Sequence, residues 1–411
     1  MRTNLVAFAS PIHPEEEWRR DLEQCLEKLR DVGLEFHEHL IVGQPHYREV
    51  KLSKRVHGTI IVFLTGGTSK SAAKILQDIA KPLIFIASPR HNALPSALEA
   101  NALLREQAMA KIVMVREGYA EEVRRFLEKA KSLREESKAK ILSFGGLAAR
   151  ADLKEASPER LAEMFNVEIE EVPYKDLEEA IIKVGEEEVE TMEKRLRASM
   201  AIKDTSLTKA IRLYLATKSL LEARGADGFT FNCFNLLSKI GSTPCLTMSL
   251  LSDEGYVAVC EGEIQSIAAS VLTRKLLKRE FFMSNVSSYT GRTLLIAHCT
   301  APASMAERRI DVLPHFESGL PAGLDVELKR GAVTLFNVDK GLKEIVAFKG
   351  YMKASFLKKE GFCRTQAEVE VEEPVELLSK LVGGHLLMVY GDVMEELREI
   401  AELLNLGFRE L

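Results

Sequence analysis

The fold is decided by the stretch Ser252–Met305, which reads SDEGYVAVCEGEIQSIAASVLTRKLLKREFFMSNVSSYTGRTLLIAHCTAPASM. It contains three short apolar, β-prone runs, which are Tyr256–Cys260, Phe281–Met283 and Leu294–Ala297. The polar residues that follow these runs are Glu261, Asn285 and His298. An apolar-periodic helix is predicted over about Ile264–Leu277. Because open α/β sheets bind ligands beyond the carboxyl ends of their strands, we expect the three polar groups to border one crevice.

Each of these residues also has a structural explanation when it is taken singly. A glutamate that opens a helix is favourable with the free amides there, so Glu261 alone is more often structural than catalytic. Asn285 alone is typical of a turn, and His298 alone fits either interpretation. The three residues together, each after an apolar run, favour a functional site.

The N-terminal third alternates strands with helices, which predicts a doubly wound parallel sheet. The predicted elements are the strands Asn4–Ala9, Val56–Leu64, Pro82–Ala87 and Lys111–Val115 and the helices Glu15–Val32 and Pro95–Gln107. Two strand ends carry polar turns. Gly66–Ser69 offers free amides to a polar or anionic group but lacks the lysine of a nucleotide-binding P-loop. Ser88–Asn92 supplies a cation, an imidazole and an amide.

A second β/α pattern begins at Ala139–Phe144, and short β-prone runs separated by turns follow Met283. We therefore predict two doubly wound, Rossmann-like parallel-sheet domains and a mostly antiparallel, barrel-like C-terminal domain. The predicted divisions are 1–120, 121–282 and 283–411. In the last domain, the turn His315–Gly319 offers an imidazole and a carboxylate. His385 follows two glycines, where it is free to face a cleft or solvent.

The composition of the 411 residues limits the class of protein. A formal charge of −5 with both signs interspersed does not predict a nucleic-acid partner. No apolar run reaches the roughly 18 residues of a membrane span, and the N-terminus lacks a signal-peptide pattern, so we expect a cytoplasmic protein. The six scattered cysteines, with no C-x-x-C pair, are predicted to be free and mostly buried. Many Glu and Lys with only six Gln suggest a thermophilic source.

Several motifs resemble those of the L-fucose isomerase and L-arabinose isomerase superfamily. They are GGTS, ASPRHNALPSALEA, CEGE before an apolar helix, FMSN, AHCTAP and GGHLLMVYGDVMEELREIAELLNL. The resemblance implies a Mn²⁺-type ion held by a glutamate, a second carboxylate and a C-terminal histidine. These ligands match Glu261, the position of Asn285 and His385. It also implies a homotrimer or homohexamer, in which a neighbour's N-terminal domain helps to close each active site.

The resemblance therefore predicts a divalent-metal-dependent aldose–ketose isomerase that acts on a small-molecule sugar through an enediolate. Mn²⁺, Co²⁺ or Mg²⁺ suits carboxylate, imidazole and water ligands. Glu261 is the predicted catalytic residue and a metal ligand with Asn285 and His385. The predicted substrate-binding residues are Gly67, Thr68, Arg90, His91, Asn92 and His298. The alternative is a non-catalytic sugar-binding or regulatory protein with the same fold.

Asn285 departs from the superfamily pattern, because it stands where a second acid is expected. A carboxamide oxygen can coordinate a cation, but it brings no charge and accepts no proton at neutral pH. The acids nearby in sequence leave the replacement open: Asp253, Glu254, Glu263 and Glu307. We predict little activity on fucose or arabinose, and an altered substrate whose own anionic group meets Arg90 or the Gly66–Gly67 turn.

Overall fold

The computed structural model describes residues 1–42, 52–53, 55–76, 79–104, 110–148, 156–203 and 205–411. The chain forms two compact units. The first contains Met1–Glu135 and Arg398–Gly407, and the second contains Glu136–Leu397 and Phe408–Leu411. The division into three domains at 1–120, 121–282 and 283–411 is not tested by these two units and stays a prediction. Among the described residues, no helix has both the length and the apolar character required to cross a bilayer.

The first unit contains a five-stranded parallel sheet of order β2-β1-β3-β4-β5. Its elements are β1 (Arg2–Ala9), α1 (Glu15–Asp31), β2 (Glu35–Val42), β3 (Thr59–Phe63), α2 (Ser69–Ile75), β4 (Leu83–Ala87), α3 (Ala93–Leu104), β5 (Ala110–Met114) and α4 (Tyr119–Glu136). The strands β3 and β4 are buried at every residue, as expected for the centre of a parallel sheet that is covered on both faces. The end of the predicted helix Pro95–Gln107, residues 105–107, lies outside the described residues.

The second unit begins with a four-stranded parallel sheet of order β10-β9-β6-β7. The elements of this part of the chain are β6 (Ala139–Phe144), α5 (Pro158–Phe165), β7 (Val167–Val172), α6 (Tyr174–Lys183), α7 (Glu186–Ser199), β8 (Ala201–Ile202), α8 (Thr208–Arg224), β9 (Gly228–Phe231), α9 (Cys233–Ile240), α10 (Cys245–Asp253), β10 (Val257–Cys260) and α11 (Ile264–Val271). A π-helical turn, Leu272–Leu276, continues α11. Together they span most of the predicted helix Ile264–Leu277.

The remaining elements include an antiparallel barrel. They are β11 (Phe282–Thr290), β12 (Thr293–His298), β13 (Ala306–Leu313), β14 (Gly323–Leu328), β15 (Gly331–Val338), β16 (Glu344–Ser355), β17 (Thr365–Glu370), α12 (Pro374–Lys380), β18 (His385–Tyr390), α13 (Met394–Leu404) and β19 (Gly407–Glu410). The order β15-β18-β11-β12-β17-β16 closes because β16 also pairs with β15, while β19 extends the sheet beyond β16. A separate sheet has the order β14-β13-β8. The predicted fold class is confirmed.

The expected position of Asn285 at a strand end is wrong. The strand β11 runs on to Thr290, so Asn285 lies inside it, one residue before a register shift between Val286 and Ser288. The runs that precede Asn285 and His298 also belong to the antiparallel barrel and not to an open parallel sheet. Only Glu261 follows a strand of a parallel sheet, so the rule for carboxyl ends applies to one of the three residues.

Close approach of β9 and β10 requires glycine at position 228. A Cβ atom there would lie 2.3 Å from the carbonyl oxygen of Val257. We expect Gly228→Ala to lower the free energy of unfolding by roughly 1–3 kcal/mol, because neighbouring backbone must move. Urea denaturation measures this change. Gly384→Ala is the control, since no atom lies within 4 Å of its Cβ position, and equal losses in both variants would contradict the prediction.

Candidate metal centre

Glu261 follows β10 in a left-handed turn that few residue types adopt. Its φ is +65° and that of Gly262 is +71°. A side chain at Gly262 would meet the backbone nitrogen of Ala148 at 3.0 Å, and the Gly262 N–H donates to Thr230 Oγ1 at 3.1 Å. Positive φ at a non-glycine residue is uncommon and persists where the surroundings hold it. The turn therefore fixes the Glu261 carboxylate between the last residue of β10 and the start of α11.

Three side chains converge in the second unit. Glu261 Oε1 lies 3.7 Å from His298 Nε2 and 3.6 Å from His385 Nε2, and all three potential ligand atoms lie within 4.8 Å of one another. These separations exceed hydrogen-bond length. They approach the roughly 3.0–3.4 Å that separates adjacent ligand atoms when each is about 2.1 Å from one ion. Within the described ranges, this is the one such group of three or more His, Cys, Asp or Glu side chains.

The hydrogen bond of His385 fits the requirements of a metal site. His385 Nδ1 lies 2.9 Å from Glu263 Oε2, which also accepts from Ser266 Oγ at 2.9 Å. A carboxylate in this position orients a ligating imidazole and fixes its tautomer, which leaves the Nε2 lone pair free. The buried His385 Nε2 has no hydrogen-bond partner among the described residues. An unpaired buried polar atom costs about 1–3 kcal/mol, and coordination to an ion would remove that cost.

Electrostatics couple the imidazoles to the carboxylates. Burial alone would raise the pKa of Glu261, but His298 and His385 outweigh it and hold its pKa well below the usual range. Burial would also raise the pKa of Glu263, but its contact with His385 outweighs burial and lowers that pKa. Burial disfavours the charged form of His385, yet Glu261 and Glu263 raise its pKa to about 10. The metal-free centre therefore holds a proton on His385 that a cation must displace.

Asn285 borders the same cavity as the cluster. It lies directly opposite His385 in the pairing of β11 with β18, and opposite Ala297 in the pairing with β12. The cavity is lined by Glu261, Asn285 and His298 and measures about 50 Å³. That volume holds an ion and about one water molecule, but not a whole sugar.

Two cavity residues received little weight from the sequence. His315 and Glu317, from the predicted HFESG turn, also line the cavity. His315 Nδ1 accepts from the backbone N–H of Ser318 at 3.3 Å, which orients the ring. The only sequence signal for these residues is the pairing of an imidazole and a carboxylate in a turn. The structure adds their placement beside Glu261 and Asn285.

The four acids that could replace the missing second carboxylate differ in the residues they contact. Glu263 contacts His385, whereas Asp253 accepts from Ser304 and Glu254 pairs with Lys218. The remaining acid, Glu307, lies 3.8 Å from Arg308. Of the four, Glu263 is therefore the one that contacts a residue of the cluster.

The residues predicted to bind substrate from the N-terminal region lie in the first unit. The turn after β3 meets the turn after β4, where Gly66 N–H donates to the His91 carbonyl at 2.6 Å. His91 and Asn92 both have a φ of +56°. Thr68 Oγ1 donates to the carbonyl of Thr65 at 3.2 Å, so this hydroxyl is used within the turn that contains Gly67.

The cation expected to meet an anion is already paired. Arg90 contacts Asp21, which also accepts from Ser88 Oγ at 3.0 Å. These residues line a cavity of about 690 Å³ in the first unit, large enough for a small molecule. No cluster of metal-ligating groups borders it among the described residues. The smaller cavity is therefore the candidate for the chemical site.

Comparison with known proteins supports the resemblance. The family model of the L-arabinose isomerase central domain matches residues 158–279, which include Glu261 and Glu263. Proteins named sulfoquinovose isomerase are also similar to the chain. The chain therefore resembles the L-fucose and L-arabinose isomerase superfamily, most directly over residues 158–279.

The similarity to these isomerases is low and partial. Identity is 28% over 244 residues with the protein of Alkalicoccus urumqiensis, covering 54% of this chain and 53% of the relative. It is 26% over 279 residues with that of Priestia aryabhattai, covering 61% and 59%. It is 21% over 361 residues with that of Clostridium sp. (strain MSTE9), covering 82% and 80%. The chain thus spans little more than half the length of the first two relatives.

Metal binding is expected to depend on pH. Because the metal-free protein holds a proton on His385 up to about pH 10, that proton opposes Mn²⁺ below this pH. We expect the apparent affinity to rise about tenfold per pH unit between about pH 6.5 and 8.5, with one proton released. Calorimetry in buffers of different ionisation enthalpy measures both quantities. His385→Ala should bind weakly without this release. If wild type did not bind Mn²⁺, or bound it with an affinity independent of pH, the predicted metal site would be wrong.

The folding stability of the metal-free protein has its own pH dependence. The raised pKa of His385 contributes stability that is fully present below about pH 6.5, the value for a free imidazole. It is lost as the pH rises through about 10.

The Glu263–His385 contact generates a second expectation. Glu263→Gln removes the charge that orients the imidazole and should weaken Mn²⁺ binding about 10–100-fold. Glu263→Asp keeps the charge, so its loss of Mn²⁺ affinity should be smaller. Glu307→Gln is the matched control, because Glu307 lies beside Arg308 and does not contact the cluster. Equal affinities for Glu263→Gln and wild type in calorimetry would exclude the orienting role.

Proposed function

We propose that the protein is a divalent-metal-dependent aldose–ketose isomerase. The observation that carries this proposal is the convergence of Glu261, His298 and His385, whose ligand atoms lie within 4.8 Å of one another. This donor set, one carboxylate and two imidazoles, suits Mn²⁺ or Co²⁺, and Mg²⁺ less well. Similarity to the L-arabinose isomerase central domain and to proteins named sulfoquinovose isomerase supports the reaction class.

The chain's residues divide the chemistry between ligation and proton transfer. A bound divalent ion would chelate two adjacent sugar oxygens and polarise the carbonyl. Glu261 remains ionised across the neutral range, which suits a ligand and makes it a weak base in the free protein. Glu317 lines the same cavity and is the carboxylate we propose for moving the proton between neighbouring carbons towards the enediolate. Asn285 supplies a neutral oxygen to the cation or to a sugar hydroxyl.

The proposed substrate is a sugar that carries its own anionic group. The relatives are named sulfoquinovose isomerase, and that sugar bears a sulfonate. The volume of about 50 Å³ implies that only the reacting carbons and their oxygens approach the centre, while the rest of the sugar extends through its mouth. The N-terminal residues Gly67, Thr68, Arg90, His91 and Asn92 remain proposed substrate contacts. A cytoplasmic location and a homotrimer or homohexamer are likewise proposed.

A second candidate is a sugar-binding protein without turnover. The carboxamide of Asn285 favours it, because this residue borders the cavity where a second acid would transfer a proton. The two candidates differ in whether hydrogen at C2 of the sugar exchanges with solvent.

Proton NMR in D₂O with Mn²⁺-loaded protein tests the proposal. We expect sulfoquinovose to be converted to its ketose with deuterium incorporated at C1, and recovered sulfoquinovose to carry deuterium at C2 through the reverse reaction. Fucose and arabinose should change little. Glu261→Gln and Glu317→Gln should each lower the rate, by about 10²–10⁴-fold where the carboxylate transfers the proton. Asn285→Asp should tighten Mn²⁺ by restoring a charge. Binding of sulfoquinovose without exchange would support the non-catalytic alternative, and absence of both would reject both candidates.

A further inference from the structure

Five of the six cysteines line the cavity of the metal centre. They are Cys233, Cys245, Cys260, Cys299 and Cys363. All six are free thiols, as the sequence predicts. The metal cluster uses none of them, although Cys260 precedes Glu261 and Cys299 follows His298. Such a concentration of thiols around one small cavity calls for an explanation beyond packing.

One pair of these thiols is close enough to react. Cys233 Sγ lies 3.5 Å from Cys260 Sγ, and a disulfide bond is about 2.05 Å long. Cys260 is the last residue of β10, and its register partner in β9 is Phe231, two residues before Cys233. Closing the pair therefore requires a shift of about 1.5 Å between two adjacent chain segments.

The two thiols differ in access. Cys233 begins α9 and is half-buried, whereas Cys260 is buried, with 6% of its surface exposed. Both border the cavity, whose volume of about 50 Å³ admits an oxidant of the size of hydrogen peroxide. The accessible thiol meets the oxidant first, and the buried thiol is placed to resolve the product.

We propose that Cys233 and Cys260 are a peroxide-sensitive pair whose disulfide weakens metal binding at the adjacent centre. In the first step, Cys233 sulfur attacks one peroxide oxygen, the O–O bond breaks, and the leaving hydroxide takes the thiol proton to form water. In the second step, Cys260 sulfur attacks the sulfenic sulfur, the S–O bond breaks, and a second water leaves. Two thiols are oxidised and one peroxide is reduced to two waters.

The backbone transmits this bond to the metal ligand. Glu261 is joined to Cys260 on one side and to Gly262 on the other. Gly262 is held by Thr230 Oγ1 at 3.1 Å, and its carbonyl accepts from Ala148 N–H at 2.9 Å. Movement of Cys260 towards Cys233 therefore turns Glu261 against a fixed neighbour. Metal–ligand distances tolerate about 0.2 Å, so a small rotation separates the carboxylate from the two imidazoles.

A second thiol pair provides the competing outcome. Cys299 and Cys363 are also in hydrogen-bonding contact, and Cys299 is joined to His298. A disulfide there would act through a different ligand. The two pairs are distinguished by mapping the linked peptides and by replacing one cysteine of each pair.

The experiment treats the full-length, metal-free protein with hydrogen peroxide, and then measures thiols, linked peptides and Mn²⁺ affinity. We expect titratable thiols under denaturing conditions to fall from six to four, with a loss of two hydrogen masses and a peptide linking Cys233 to Cys260. Calorimetry should show affinity reduced about 10–100-fold, as for other disturbed ligand supports. Dithiothreitol should restore both the thiols and the affinity.

Two variants make the result specific. Cys233→Ser should retain Mn²⁺ affinity after peroxide, whereas Cys363→Ser should lose it as wild type does. Cys260→Ser replaces Cys233→Ser if circular dichroism shows that the latter does not fold. A link between Cys299 and Cys363, a gain of oxygen without a link, or a Cys233–Cys260 link with unchanged affinity would overturn the proposal. Absence of Mn²⁺ binding by the reduced protein would overturn it too. None of these readouts depends on isomerase activity, so the proposed function can fail separately.

Discussion

The left-handed turn at Glu261 and Gly262 is the constraint on which the candidate metal centre depends. A strand that ended in ordinary geometry would carry the chain past the cavity, whereas two consecutive positive φ angles bring a carboxylate to within 4 Å of two imidazoles. The strain is tolerated because Thr230 and Ala148 hold Gly262 from neighbouring segments. The turn therefore places a carboxylate that follows the parallel sheet beside two histidines of the antiparallel barrel.

Local pattern was sufficient to predict most strands and helices around the centre. The buried run before Glu261, the strand ending on His298 and the apolar-periodic helix that begins at Ile264 need only nearby residues for their recognition. Asn285 shows the limit of that reasoning. Its strand continues because partners on both sides, β12 and β18, satisfy its backbone, and neither pairing is visible in the residues around Asn285.

Local pattern alone does not predict the candidate ligand set. His385 was assigned through resemblance, since a histidine after two glycines is ambiguous by itself. His298 is predicted to contact substrate, and it lies near His385 because β12 and β18 both pair with β11. Glu263 was one of four equivalent acids in sequence, and a single hydrogen bond to His385 distinguishes it. Likewise, scattered cysteines suggested only burial, because their gathering around one cavity is a property of long-range register.

The assignment of Arg398–Gly407 to the first unit has a topological consequence. The chain leaves the first unit near Glu136, builds the second, returns through α13, and ends with Phe408–Leu411 back in the second. Lys129 and Lys111 of the first unit bind Glu399 and Glu402 of the returning segment. Cleavage of the chain near Glu136 alone would therefore not separate the two units, because the chain also passes between them near Arg398 and Phe408. The first unit therefore cannot be completed until residues Arg398–Gly407 have been synthesised.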